Sequence, residues 1–151
     1  MIEPARAAFL LIDMQMGFID PTSPLCVAGA AATVPACAHA LAAAREHGLA
    51  AFHVRRAYAV DGSDVEAARW ETWAEGGRPL SAADPESLDC PPELSPAPGE
   101  PVITKPSWSA FFGTDLAATM RQQGIGTIVL AGTTTPNCVR STAYDGLALG
   151  F

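Results

Sequence analysis

Two stretches of this chain are apolar almost without interruption: AAFLLIDM at 7–14, which runs into an acid, and TIVLAG at 127–132. A strand exposed on one face alternates apolar and polar residues, so unbroken runs demand a sheet covered on both sides. Two further strands are expected between them, LAAFHVRR at 49–56 and EPVITK at 100–105. The intervening segments have helical patterns. ATVPACAHALAAAREHG (32–48) is alanine-rich, with Pro35 suited to a first turn and Gly48 to a C-cap. TDLAATMRQQG (114–124) places Thr114 at the N-cap, Asp115 in the first turn and Gly124 just past the end. PNCVRSTAYDGLALG (136–150) spaces Val139, Ala143, Leu147 and Gly150 at helical intervals. Strands alternating with helices predict an α/β protein, a three-layer α/β/α arrangement with a mainly parallel sheet.

The 151 residues suffice for one domain, expected to span 1–151. Hydrophobic residues make up 49% and charged residues 17%, which excludes disorder over most of the length. The stretch 57–99 differs in kind, with much of the charge and many of the prolines. It reads as a surface excursion unable to bury a core of its own, with one helical candidate at DVEAARWETWAEGG (64–77). A net charge of −7 argues against a chain built to grip nucleic acid or an anionic membrane. Cys26, Cys37, Cys90 and Cys138 are widely spaced, with no C-x-x-C and no zinc-finger spacing. No signal peptide is read, since Glu3 and Arg6 interrupt the start, and no run reaches the roughly 20 apolar residues of a membrane span. A soluble protein of a reducing cytoplasm is expected.

In parallel sheets, ligands bind where strand C-termini meet helix N-termini. Three reactive side chains fall there: Asp13 after the first strand, Lys105 after the third and Cys138 after the fourth. Cys138 sits in the first turn of its expected helix, where unpaired N–H groups and the helix dipole favour a thiolate. Lys105 offers a cation, and Asp13 an acceptor for the thiol proton. Taken singly, each also suits a bland role: a packed thiol, a cap, a solvated strand end. Coincidence of all three on one sheet edge is what favours chemistry.

The motifs LLIDMQMGF (10–18), VITKPSWSAFFGTDL (102–116) and GTTTPNCVRSTAYDGLALGF (132–151) resemble the isochorismatase-like cysteine hydrolases, and the resemblance covers nearly the whole chain. That family includes nicotinamidases, N-carbamoylsarcosine amidases and ureidoacrylate amidohydrolases. The resemblance implies a Rossmann-like isochorismatase fold and an Asp-Lys-Cys triad of Asp13, Lys105 and Cys138. It further implies a cis peptide between Thr133 and Thr134, and an oxyanion hole from the Thr134 and Cys138 amides. The implied activity is hydrolysis of a C–N bond in a small amide, carbamoyl or ureido compound through a thioester. Family nicotinamidases hold a metal through Asp-x-His after the second strand and a further histidine. Here Ala51 stands for the acid in AFHVRR and no histidine follows His53, so neither metal nor other cofactor is expected, and nicotinamide is disfavoured.

Relatives continue past the final GF with another strand and helices. The expectation is therefore a chain lacking the C-terminal strand or strands and helices, either a fragment or a sheet edge covered by a partner. A homo-oligomer, dimer or tetramer, is expected. The alternative function is a catalytically inactive or truncated domain serving in assembly or ligand binding. For the substrate pocket, Phe18, Trp108 and Phe112 offer an apolar wall or core packing. Arg55, Arg56 and Tyr58 offer carboxylate ligands or a solvated strand end. Trp70 and Trp73 read as a lid or a subunit contact, with the contact favoured.

Overall fold

The computed structural model describes residues 3–151, so the expected domain begins two residues outside them. Its sheet has four strands: β1 (Ala7–Ile12), β2 (Ala50–Arg56), β3 (Val102–Lys105) and β4 (Thr127–Gly132). The order is β3-β2-β1-β4 and every pairing is parallel. Helices α1 (Met16–Ile19), α2 (Ala30–Glu46), α3 (Trp70–Glu75), α4 (Leu116–Gln122) and α5 (Arg140–Ala148) complete the fold.

All six β1 residues are buried, as an uninterrupted apolar run requires. Phe9 and Leu11 pack against Val34, Cys37, Leu41 and Ala44 of α2. Ala8, Leu10 and Ile12 face the other way, toward Leu116 and Met120 of α4 and toward Cys138. Each fully buried leucine or phenylalanine contributes about 1.5–3 kcal/mol. The two clusters give the expected three layers. No helix among the described residues is long and apolar enough to cross a membrane.

The chain moves outward from β1 to β2 to β3, then returns to place β4 on β1's free side. That reversal opens a crevice between the C-terminal ends of β1 and β4, the point where such sheets bind ligands. Ile12 and Gly132 are register partners at its floor.

Several local expectations are corrected. Helix α2 begins at Ala30, so Pro35 lies inside it rather than in the first turn. Gly29 at φ 82° starts the helix early, and the Thr33 hydroxyl donates to the Ala30 carbonyl at 2.7 Å in that first turn. The helical candidate at 64–77 shrinks to the six residues of α3, because Asp64 is committed elsewhere. Its carboxylate accepts from the Ala59 N–H at 2.8 Å, and its carbonyl from Arg56 at 2.9 Å. Segment 57–99 does bury a small cluster, contrary to expectation: Tyr58, Trp73 and Leu80 close around Phe18 of α1. Trp73 is fully buried, with its indole N–H on the Pro79 carbonyl at 2.7 Å, so it is neither lid nor subunit contact. Trp70 packs on it at 5.8 Å and is half-exposed. Along α5 the residues turned inward are Thr142 and Gly146, while Leu147 faces out.

Candidate active site

Asp13 is the first residue past β1. Its backbone is left-handed at φ 52°, a conformation that costs a non-glycine residue energy, and its N–H bonds the Val54 carbonyl at 2.9 Å. Two residues on, Gln15 acts as a surrogate peptide group. Its side-chain oxygen accepts from the Arg56 N–H at 2.8 Å, and its amide donates to the Arg56 carbonyl at 3.0 Å. The loop after β1 is thereby fastened to the end of β2.

Lys105, the last residue of β3, is almost wholly buried. Its Nζ lies 2.8 Å from Asp13 Oδ2 and 3.5 Å from Cys138 Sγ, and donates to the Ser107 carbonyl at 2.8 Å. The contact with Asp13 is an ion pair rather than an aligned hydrogen bond, and neither Asp13 oxygen has an aligned donor among the described residues.

After β4 the chain turns sharply. The Thr133 N–H bonds the Ile12 carbonyl at 2.9 Å, and the peptide joining Thr133 to Thr134 is cis. A single π-helical turn, Thr135–Val139, precedes α5 and carries Cys138. The nucleophile candidate thus sits in a wide turn rather than in the first turn of an α-helix. The Thr134 N–H has no acceptor, and its buried hydroxyl no partner, among the described residues. Below, Thr142 accepts the Ala110 N–H at 3.0 Å and locks α5 to the 106–113 loop.

The electrostatics run opposite to the sequence expectation. Burial, and then the neighbouring Asp13 carboxylate, push the Cys138 thiol up to about 12, against the opposing pull of Lys105. Burial likewise raises Asp13, although Lys105 opposes it. Desolvation penalises both anions, and the helix-end effect does not offset it. At rest the site therefore holds a neutral thiol beside the close contact of Lys105 with Asp13. Alkylation with iodoacetamide near neutral pH should accordingly label exposed Cys26 first and Cys138 slowly. Peptide mapping by mass spectrometry checks this, and Cys138 reacting first would overturn the account of the thiol.

A narrow cavity of about 10 Å³, room for little more than a water molecule, reaches this group, lined by Asp13, Phe18, Arg69, Thr133, Thr134 and Cys138. Of the pocket residues expected from sequence, Phe18 lines it. Trp108 and Phe112 do not: they are 44% and 62% exposed on the loop after β3. Arg55 points away, exposed, with its Nε on Thr104 Oγ1 at 3.0 Å. Arg56 is buried but occupied, donating to the carbonyls of Ala57, Lys105 and Asp64 at 3.0, 3.2 and 2.9 Å. Tyr58 lies behind the wall, its hydroxyl on Glu66 at 2.8 Å. His53 is paired with Glu100 at 2.8 Å, and no three His, Cys, Asp or Glu side chains gather among the described residues. The residue that sequence reasoning missed is Arg69. Its position just before Trp70 and Trp73 is the one sequence signal of an anchored side chain.

A four-stranded parallel sheet covered by helices, with Asp13, Lys105 and Cys138 gathered at its switch point, defines a chain of the three-layer α/β class. More narrowly, the chain belongs to the isochorismatase family, whose domain model matches residues 7–151. It is 34% identical over 146 residues to the maleamate amidohydrolase of Pseudomonas putida, covering 97% of this chain and 68% of that protein. The crystal structure of an isochorismatase family protein from Desulfovibrio vulgaris superposes with a TM-score of 0.90 at 42% identity, covering 97% of this chain and 76% of that one. The N-carbamoylsarcosine amidase from Thermoplasma acidophilum gives 0.82 at 29% identity, covering 97% and 78%.

Proposed function

We propose that this chain is a cysteine amidohydrolase cleaving the C–N bond of a small amide, carbamoyl or ureido compound. The observation that carries the reading is the single ammonium of Lys105, 2.8 Å from the Asp13 carboxylate and 3.5 Å from the Cys138 sulfur. The names of the amidohydrolase and amidase relatives support the same class of bond.

Because the thiol is neutral at rest, deprotonation accompanies attack. As Cys138 Sγ closes on the substrate carbonyl carbon, its proton passes to Asp13, so no free thiolate has to persist in the buried site. The carbonyl π electrons move to oxygen, and the Thr134 and Cys138 N–H groups hold that oxyanion. Its collapse expels ammonia or an amine, which takes the proton from Asp13, and leaves a thioester on sulfur. Water then gives a proton to Asp13 and attacks the thioester carbonyl. The second collapse releases the acid and returns the proton to sulfur. Lys105 stays charged throughout and offsets whichever neighbour is anionic.

Ammonia release from a panel of carbamoyl, ureido and carboxamide compounds tests this. Substituting Cys138→Ala should lower turnover by at least about 10³-fold, since removing a nucleophile abolishes the covalent route. Turnover surviving that change would sink the mechanism. A panel on which the native protein is inert would leave the assembly or ligand-binding role.

A further inference from the structure

The proposed chemistry uses the Thr134 N–H and leaves the Thr134 hydroxyl without a task. Thr134 lines the small cavity beside Asp13 and Cys138, and its hydroxyl oxygen is buried with no hydrogen-bond partner among the described residues. Asp13 Oδ1 is alike: buried, without an aligned donor there, and not the oxygen that meets Lys105. Buried polar atoms are costly to leave unpaired, so two of them lining one cavity point to a shared polar guest. The guest must be small. The space is about 10 Å³, close to what the centre of one water molecule needs.

The backbone of Thr134 is well fixed. Its carbonyl accepts the N–H groups of Asn137 and Val139, each at 3.2 Å, within the turn that carries Cys138. Just before it, the Thr133 N–H bonds the Ile12 carbonyl at 2.9 Å. A β-branched side chain on so constrained a backbone has few rotamers, which keeps the hydroxyl beside the carboxylate.

Two acceptors suit a nucleophilic water. With one hydrogen on Asp13 and the other on Thr134 Oγ1, the water oxygen keeps its lone pairs free for a carbonyl carbon. In the proposed scheme Asp13 gives a proton to the departing nitrogen and later takes one from water, so both occupy the place beside it in turn. The nitrogen is delivered there by its own bond to the substrate. Water arrives free and has to be ordered, so it depends more on a second anchor.

We infer that the Thr134 hydroxyl is a catalytic residue of the second half-reaction: with Asp13 it holds the water that hydrolyses the Cys138 thioester. The inference rests on the hydrolase reading above for the thioester, but not for the water site itself. In that step one O–H bond of the water breaks and the proton passes to Asp13. The water oxygen bonds to the thioester carbon as the carbonyl π pair moves onto oxygen. That pair then returns, the carbon–sulfur bond breaks, the acid departs, and sulfur takes the proton from Asp13. The other hydrogen stays on the water oxygen and donates to Thr134 Oγ1 throughout the attack.

The test uses p-nitrophenyl acetate, an activated ester that acetylates cysteine without requiring an amide. Release of p-nitrophenol reports acetylation, and intact-mass spectrometry follows loss of the acetyl group, with Cys138→Ala correcting for the other thiols. Thr134→Val keeps the shape and removes the hydroxyl. It should slow deacetylation about 10-fold more than acetylation, the worth of one hydrogen bond, so that acetyl enzyme accumulates. Thr134→Ser should restore most of the difference. Because the Thr134 N–H serves both steps, a merely structural disturbance would slow both alike, and that outcome overturns the inference. Crystal structures of the native protein and Thr134→Val give a second readout: a water between Asp13 and residue 134 in the first and not in the second. No such water in the native crystal, or its persistence in Thr134→Val, overturns the site whether or not the ester acetylates Cys138. Acetyl-enzyme kinetics as expected, with no amide of the panel hydrolysed, keep the water site and remove the amidohydrolase reading. Amides cleaved through Cys138, with both steps equally sensitive to Thr134→Val, do the reverse.

Discussion

Changing Asp13 to Asn should slow hydrolysis by about 10³-fold, within the range that a positioned acid–base group contributes, while making Cys138 easier to alkylate. The two effects diverge because the carboxylate does two things. In the proposed scheme it accepts the thiol proton during attack, and its charge is the largest influence after burial holding the thiol near 12. Asparagine fills the same space without the charge, so Lys105 acts on the sulfur unopposed and the thiol titrates lower. The pH profile supplies a second readout. Asp13 must be ionised to accept the proton, and burial raises its pKa. The acidic limb of kcat/KM should therefore lie above the ordinary carboxylate range in the native protein and vanish in the variant. Circular dichroism establishes that the variant is folded. Iodoacetamide kinetics and turnover falling together would show that Asp13 activates the sulfur at rest and would refute the concerted scheme.

The second large effect concerns folding. Gly132 has φ 123°, and a Cβ there would run into the Ile12 carbonyl oxygen, 2.7 Å from the Ile12 nitrogen and 2.8 Å from its carbonyl carbon. The obstruction is backbone of the central strand, which cannot swing aside as a side chain can. Gly132→Ala should cost about 3 kcal/mol or more, combining the left-handed backbone with the collision, and lower Tm by about 10 °C. Gly126→Ala is the control, since a Cβ there meets only the end of Arg6 at 3.6 Å, and urea unfolding should place it close to the native protein. A Gly132→Ala protein as stable as that control would mean that β4 can shift away from β1.

These outcomes mark how far the sequence could be read. The four strands were legible because apolar runs in a doubly covered sheet carry their own signature, and Asp13, Lys105 and Cys138 followed as strand-end residues. Boundaries were less so: Pro35 is a poor guide once a left-handed glycine starts the helix a turn earlier. The contrast between Arg55 and Arg56 was available in principle, because adjacent strand residues face opposite ways. The position of Arg69 was not, since it depends on how segment 57–99 folds back over Phe18. The acidity of Cys138 was misjudged for a related reason: a local sequence shows where a helix starts but not how deeply its first residues are buried.

The aromatic cluster around Trp73 has an evolutionary consequence. Segment 57–99 packs largely on itself and on α1, and is fastened at its base by Arg56. Asp13 and Lys105, by contrast, sit at the ends of β1 and β3. Arg69, which the segment contributes to the cavity wall, and the Asp13–Lys105 pair thus belong to separate parts of the polypeptide. Substitutions that reshape the cavity wall can accumulate in the segment while the strand-end groups stay in place, which lets one scaffold vary what it admits without disturbing the sheet.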